Sequence, residues 1–547
     1  FPHLRLTALG PSPRQDSFLR EVPEEMDAAA IEAVVAAHGA ATANARRAGL
    51  DAVEILAGQG YGIHQFLSPL SNRRRDGYGG PLESRLKLLL EVVAEARREA
   101  GPGLALGVRL NADDGQPGGL GLVEAGRIAA ALEAGGQVDY LSVSAGTPEH
   151  RLFLADMGYP RALLVPLAAE LRSSTRLPLL AVCRIKDPEE AEAILASGAA
   201  DLIGLNRALI ADPELPLKAR QGRGAEIRPC IGCNQGCLQR EAEGFDLSCT
   251  VNPSIGSELA PEISPASRRR RRVLVVGAGP AGLETARIAA QRGHDVLLLE
   301  RSQTPGGQLA IAARARLRQE LGELIRWELT EIARLRVELR LESVASLETV
   351  AGSGADAVVL ATGSRPLRTG FSAVAPDLEA IPGAGLPHVL TAPEVLESET
   401  RARGRVAVLE DDPHFHAVTA ALELAQRGHE TLLITRHAAG GAVVGDANRG
   451  FWYRRLFEAG VEMLANTWVR RIEPGRLEAF NVYSGRGVEV GAVDTVVLAT
   501  GAEAEDSLFR ELRSAGVAHE LHRVGDCLAP RRLDQAIWDA QAVAGKL

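Results

Sequence analysis

Along roughly the first two hundred residues, short apolar runs alternate with longer stretches whose apolar positions recur every three or four residues. The short runs are Ala52–Leu56, Ala105–Leu110, Val138–Val143, Leu179–Val182 and Leu202–Leu205, and their length and composition suit buried strands. The stretches between them include Ala28–Ala48, Leu82–Ala100 and Leu122–Ala134, which carry the period of amphipathic helices. Such alternation predicts βα units and a parallel sheet. A closed (β/α) barrel takes eight units, and five are found here. The pattern therefore predicts either an open sheet or a barrel whose first three units are absent from this sequence.

The second half repeats a different rhythm. Arg272 opens RVLVVGAGPAGLETARIAAQRGHDVLLLER, which reads strand, tight turn, helix, strand. The hexapeptide VVLATG occurs at Val358–Gly363 and again at Val496–Gly501. This repeat predicts two related nucleotide-type folds, one inserted in the other, with RVAVLEDDPHFHAVTAALELAQRGHETLLITR opening the inserted one. The expected order is a βα domain over 1–228, a cysteine segment over 229–255 and a linker over 256–271. An outer Rossmann-like domain follows over 272–385 and 491–547, with the inserted domain over 386–490. The fold class expected is α/β throughout.

Composition narrows the picture only a little. The chain has 547 residues, 46% hydrophobic and 24% charged, ordinary for a globular protein of several domains. A net charge of −9 argues against general nucleic-acid binding. The basic run Arg268–Arg272 follows a Pro- and Ser-rich stretch and reads as solvated linker. No signal-peptide pattern and no bilayer-length apolar run are visible, so a cytoplasmic protein without a membrane partner is expected.

The sharpest chemistry lies in CIGCNQGCLQREAEGFDLSC, where Cys230, Cys233, Cys237 and Cys249 are spaced C-x2-C-x3-C-x11-C. Three thiolates from one tight loop and a fourth from a short return segment suit a 4Fe–4S cubane. Zinc sites usually pair two C-x2-C knuckles, and the second knuckle is missing. A disulfide framework fits poorly in a chain with six cysteines that looks intracellular. The spacing thus favours an iron–sulfur cluster over zinc or inert thiols, and with it one-electron redox chemistry.

Gly277, Gly279 and Gly282 form G-x-G-x-x-G between a strand and a helix, and Glu300 ends the next strand. Glycines there allow a tight turn and close approach of a pyrophosphate to the helix N-terminus, and the acid can hold ribose hydroxyls. GGQLAIA from Gly306 and VGDCLAPR with Asp526 complete a two-dinucleotide flavoprotein pattern. In the inserted fold the glycine positions are held by Glu410, Asp412 and Phe415. Asp411 and Asp412 would repel a pyrophosphate, and Pro413 removes a donor N–H. His414 and His416 read as loop packing, since no converging third metal ligand is evident.

AGLDAVEILAGQGYGIHQFLSPLSNRRRDGYGGPLESR strongly resembles the strand-four region of the old yellow enzyme family of FMN-dependent barrels. With the cysteine motif and the two nucleotide folds, the resemblance covers essentially the whole chain. It points to the iron–sulfur subgroup that contains trimethylamine dehydrogenase and 2,4-dienoyl-CoA reductase. The five strands would then be strands four to eight of a partial (β/α)8 TIM barrel. The resemblance implies FMN, a 4Fe–4S cluster, FAD or ADP at the first nucleotide fold, and a homo-oligomer. It implies that Arg109 lies beside the flavin pyrimidine and that Asp526 lies near the ribityl chain of the nucleotide. Arg184 and Arg207, after the last two strands, would take the FMN phosphate, as barrels commonly do there. Tyr61 matches the family's proton-donating tyrosine, and His150 aligns with a catalytic histidine of the dienoyl-CoA reductases. Leu56 and Gln59 stand where many relatives carry a histidine pair, so a small enone or phenol is not the expected substrate. No tryptophan near His150 builds an amine cage.

The resulting expectation is an oxidoreductase that passes hydride-derived electrons from a small organic substrate, such as an N-methyl amine, through the cluster. The acceptor would be an external carrier such as an electron-transfer flavoprotein. An NAD(P)H-dependent enoate or 2,4-dienoyl-CoA reductase is the alternative enzyme. A non-catalytic electron-transfer fragment is the alternative from another class.

Overall fold

The computed structural model describes residues 7–15, 21–258, 267, 269–398, 401–517 and 520–547. Residues 259–266 and 268 of the expected linker, the start of the basic run included, lie outside the described residues. The chain divides into two compact units, one of Phe1–Ala155 and Tyr159–Asn206, the other of Asp156–Gly158 and Arg207–Leu547. The helices Arg207–Ala211 and Leu215–Arg220 are grouped with the second unit. Among the described residues no helix is long and apolar enough to cross a membrane.

The first unit is built on a five-stranded parallel sheet in the order Ala52–Ala57, Ala105–Asp113, Tyr140–Ala145, Leu179–Ala181, Leu202–Ile203. Strict alternation gives each strand two characters. Ile55, Leu106, Val108, Leu110, Leu141 and Val143 are buried on one face, in one cluster with Leu89, Val92 and Ile128 of the covering helices. Glu54, Leu56, Arg109, Asn111, Ser142 and Ser144 occupy the alternate positions. Helix Ala28–Arg47 starts at Asp27, whose carboxylate accepts the Ala30 N–H, and packs on Lys87–Ala100. The expected Leu82–Ala100 helix is interrupted at Leu86.

The second unit contains both nucleotide-type sheets. The first is parallel, in the order Glu338–Arg340, Asp295–Leu299, Arg272–Val276, Ala357–Leu360, Leu521–Arg523. The second is also parallel, in the order Val389–Thr391, Thr495–Ala499, Val406–Glu410, Thr431–Thr435, Glu462–Leu464, with a three-stranded antiparallel sheet over 467–493 beside it in sequence. The repeat VVLATG has a simple structural meaning. Ala357–Leu360 pairs with the glycine-loop strand of the first fold, and Thr495–Ala499 pairs with the matching strand of the second. Thr495–Ala499 therefore belongs to the inserted fold, not to an outer segment beginning at 491. The chain crosses between the folds through the antiparallel pair Ser364–Pro366 and Ala502–Ala504. Gly363 and Gly501, at φ +79 and +98, make the turns into that pair.

Candidate functional site

The alternate face of the first sheet carries two of the expected site side chains, Leu56 and Arg109. Leu56, Arg109 and Ser142 are register partners across three neighbouring strands, and Asn111 and Ser144 pair two residues further on. Arg109 does not end its strand. The strand runs to Asp113 because Leu110 and Ala112 continue the apolar face while Asn111 continues the polar one. The Arg109 Nε donates to Glu54 Oε1 at 2.7 Å. The Ser142 hydroxyl beside it is buried with no hydrogen-bond partner among the described residues.

Three loops leave the carboxyl ends of these strands and interlock. Gln59 is left-handed (φ +63), its N–H donating to Asn111 Oδ1 at 2.9 Å and its Nε2 to Ser144 Oγ at 3.0 Å. A Cβ on Gly60 would stand 2.2 Å from Pro148 Cδ, so the Tyr61 and His150 loops touch only because residue 60 has no side chain. Asn111 Nδ2 donates to Gly146 O at 2.7 Å, and Gln116 Nε2 to Thr147 Oγ1 at 2.7 Å. Leu56 and Tyr61 are exposed, and Tyr61 is the N-cap residue of helix Gly62–Leu67. The fold thus brings Leu56, Gln59, Tyr61 and the His150 loop to one end of the sheet.

Beneath these loops lies a polar cluster that the sequence reading missed. His64, Asn111 and Asp114 are at most 2% exposed. His64 Nε2 lies 2.8 Å from Asp114 Oδ1, Ser68 Oγ donates to Asp114 Oδ2 at 2.7 Å, and Asn111 Nδ2 lies 3.1 Å from Oδ1. Burial alone would raise the Asp114 pKa, but the bonds from His64, Ser68 and Asn111 outweigh it and hold the carboxyl below its usual range.

Arg184 and Arg207, the two arginines expected at a phosphate, differ in setting. Arg184 is buried in the first unit, where Cys183 and Arg184 are both left-handed at φ +77 and +62, and its Nη2 donates to Tyr159 O at 3.1 Å. Arg207 is in the second unit, heading a short helix, with its Nη1 donating to Asn234 Oδ1 in the cysteine segment.

The cysteine segment folds as two strips pressed together. Asn234 is left-handed at φ +60, and a single π-type turn follows over Gln235–Gln239. The return strip comes back through Ser248, whose N–H donates to Gly236 O at 3.0 Å. A Cβ on Gly236 would stand 2.7–2.8 Å from Thr250 N and from Cys249 C and Cα. Cys233 Sγ donates to Thr250 Oγ1 at 3.3 Å. None of the six cysteines is in a disulfide. Burial first, then the neighbouring Cys233 and Cys230 sulfurs, push the Cys237 and Cys249 thiols up to about 12. Arg207 partly offsets this at Cys237. Burial thus favours the neutral thiol form at Cys237 and Cys249, and thiolates there would need a cationic centre to hold them. Among the described residues no three His, Cys, Asp or Glu side chains are grouped as ligands of a single metal ion.

The first glycine loop opens onto a cavity of about 1620 Å³ that also touches Ile231 and Gln235 of the cysteine segment. Gly277 (φ +102) and Gly282 are packed, since a Cβ would meet Ala361 O at 2.4 Å and Gly277 O at 1.8 Å; Gly279 has nothing within 4 Å. Glu300 is buried, its two oxygens accepting the Ala278 and Ser302 N–H groups at 2.7 and 2.8 Å. Gln308 Nε2 donates to Ser364 Oγ, which donates to Asp526 Oδ2, at 2.7 and 2.9 Å.

The second fold fills its own phosphate loop. Glu410 is fully buried, with Oε1 accepting the Gly441 N–H at 2.7 Å, and burial pushes its carboxyl up to about 7. Asp411 accepts from Ser372 Oγ at 2.7 Å and from Arg436 Nε. Asp412 accepts from the His414 N–H at 3.2 Å and contacts His416 Nδ1 at 3.0 Å.

Comparison with known proteins finds two families in succession along the chain. Residues 8–226 match the NADH:flavin oxidoreductase / NADH oxidase family, and residues 271–525 match the pyridine nucleotide-disulphide oxidoreductase family. The chain is 33% identical to N,N-dimethylglycine/sarcosine dehydrogenase of Chromohalobacter salexigens, over 98% of this chain and 82% of that protein. It is 34% identical to a metal reductase of Desulforamulus reducens, over 99% and 83%. The solved structure of histamine dehydrogenase from Rhizobium sp. 4-9 superposes with a TM-score of 0.90 at 27% identity, covering 100% of this chain and 81% of that one.

Proposed function

The chain belongs to the NADH:flavin oxidoreductase / NADH oxidase family and is a flavin-dependent oxidoreductase, and from that premise we propose that it is an FMN- and 4Fe–4S-dependent dehydrogenase of N-methylated amines. Its first sheet would be strands four to eight of the FMN barrel. FMN would supply hydride acceptance, and the cluster would move the electrons on singly to an external carrier such as an electron-transfer flavoprotein. Arg109, the orphaned Ser142 hydroxyl next to it, and Arg184 fit an electron-rich flavin ring and its phosphate. On the family's sequence pattern Arg207 would be a phosphate ligand as well. Cys230, Cys233, Cys237 and Cys249 fit the cluster, whose ligands stand farther apart than those of a single ion. Gly277, Gly279, Gly282, Glu300 and Asp526 would hold FAD or ADP.

The observation that carries the direction of electron flow is the second phosphate loop. A reductase fed by NAD(P)H through that fold needs free backbone N–H groups and an unpaired arginine for the pyrophosphate and ribose end. Here Asp411 holds Arg436, and Glu410 and Asp412 stand at glycine positions. The amine assignment follows the sarcosine-oxidising relative and the absence of an imidazole pair at Leu56 and Gln59. At such a site Tyr61 and His150 would orient the substrate, since amine oxidation protonates no carbon.

The test is anaerobic mixing of the flavin-loaded protein with a panel of N-methyl amines, NADH and NADPH, following flavin bleaching. Amines are expected to bleach it and the nicotinamides to do so slowly. Rapid stoichiometric bleaching by micromolar NADH or NADPH would overturn this reading in favour of an enoate or dienoyl-CoA reductase.

A further inference from the structure

Gly60 carries the contact between the two candidate catalytic loops, and its backbone N–H donates to His64 Nδ1 at 3.1 Å. An imidazole nitrogen that accepts carries no proton, so the single ring proton sits on Nε2. Nε2–H points at Asp114 Oδ1, 2.8 Å away. Asn111 Nδ2, 3.2 Å from the same Nε2, gives its own protons to Gly146 O and Asp114. Asp114 is fixed in turn by the Ser68 hydroxyl and the Leu120 N–H at 2.7 and 2.9 Å. The acid, the imidazole and the glycine amide thus form one directed chain, all of it buried except its last link, which surfaces between Gln59 and Tyr61.

We propose that His64, oriented by Asp114, is a positioning residue that sets the Gln59–Gly60–Tyr61 loop against the His150 loop through the Gly60 amide. Gln59 is a non-glycine residue in the left-handed region, where backbone strain needs outside support. The support comes from both sides: Asn111 takes the Gln59 amide and His64 takes the next one. The same Asn111 holds Gly146 of the opposing loop, so the cluster spans the mouth. Substrate contact is left to Leu56, Gln59 and Tyr61; His64 acts through them. This inference rests on the mouth of the first sheet being the substrate site.

Two substitutions separate the chain's links. His64→Asn keeps an acceptor near the Nδ1 position and loses the reach to Asp114. His64→Gln keeps a donor near the Nε2 position and loses the acceptor for Gly60. Both disturb a buried cluster, so a merely structural histidine would make them alike. Hydrogen–deuterium exchange of the peptide spanning Gly58–Gly62 reads the difference without any turnover. The Gly60 amide should exchange about tenfold faster in His64→Gln, the factor for a hydrogen bond near 1.4 kcal/mol, and stay within about twofold of wild type in His64→Asn. Equal exchange in the two variants overturns the proposal. Long-range 1H–15N spectra of the wild-type protein labelled at histidine give a second check that needs no variant to fold: a proton on Nδ1 of His64 overturns it. If exchange splits as expected while amine turnover is equal in both variants, the clamp stands and the substrate-site reading falls.

Discussion

Of the three loop glycines, only Gly279 can be replaced without disturbing the protein itself, which makes it a clean probe of the nucleotide reading. Its backbone is extended, at φ −74 and ψ 178, a conformation open to any residue. A Cβ there meets nothing within 4 Å and points into the large cavity. Gly279→Leu should therefore cost the fold no more than about 1 kcal/mol, the value of a poorer N-cap. That is a shift of roughly 1–2 °C in Tm for the large second unit that holds this loop. The nucleotide should suffer far more. A leucine at the head of helix Pro280–Gln291 takes the space of the pyrophosphate and cuts it off from the helix N–H groups. Loss of two charge-assisted bonds, about 1.5–3 kcal/mol each, weakens binding by about a hundredfold or more. Acid extraction and chromatography of the bound nucleotide, with calorimetric titration of ADP into stripped protein, measure this directly. Gly282→Ala is the contrasting control, since its Cβ would lie 1.8 Å from Gly277 O and folded protein should be scarce. A Gly279→Leu protein that keeps stoichiometric nucleotide with unchanged affinity would refute the assignment of this loop.

Gly236→Ala puts a methyl within 2.8 Å of the Cys249 backbone, which cannot yield as a side chain can. Iron should fall from about four per chain to three or fewer by elemental analysis, and a full complement would show that the two strips need not touch. Cys183→Gly relieves a left-handed non-glycine residue and should stabilise the first unit by about 1 kcal/mol, read as a higher urea midpoint; an unchanged midpoint removes the claim of strain. Glu410 has its folded pKa raised from 4.5 to about 7 by burial, so the folded state holds a proton that the unfolded chain has shed. Its contribution is complete below pH 4.5 and is lost as pH rises to 7, on the order of 3 kcal/mol in all. Glu410→Gln should therefore gain on wild type across that window, and parallel stability curves for the two proteins would contradict it.

Much of the architecture was legible because local pattern and global fold agree. All five apolar runs of the first unit became neighbouring strands, and the G-x-G-x-x-G segment sits between strand and helix as its chemistry requires. The errors cluster where a strand turns functional. A run that stops being apolar reads as finished, yet the Ala105–Asp113 strand continues through Asn111, and Tyr140–Ala145 continues through Ser144, because those residues face the site. The run Ala105–Leu110 was read three residues short for that reason. The His64–Asp114 pair was invisible for another: its partners are fifty residues apart and meet only once two strands are adjacent. A buried histidine in the short apolar helix GIHQFL was the one local sign.

The inserted fold shows the converse, a site that sequence condemned and structure explains. The acidic residues at its glycine positions predicted repulsion of a pyrophosphate. In the folded chain the repulsion has been turned inward. Asp411 takes the arginine that follows the second strand, and Glu410 takes the Gly441 amide, leaving these two groups already paired. Restoring nicotinamide binding would thus take more than glycine, because freeing the loop at residue 411 also frees a guanidinium that now has a partner. On the proposed reading, in which electrons leave by an external carrier, that loop would have no nucleotide to hold, and internal pairing is the stable outcome for charges that would otherwise be buried alone.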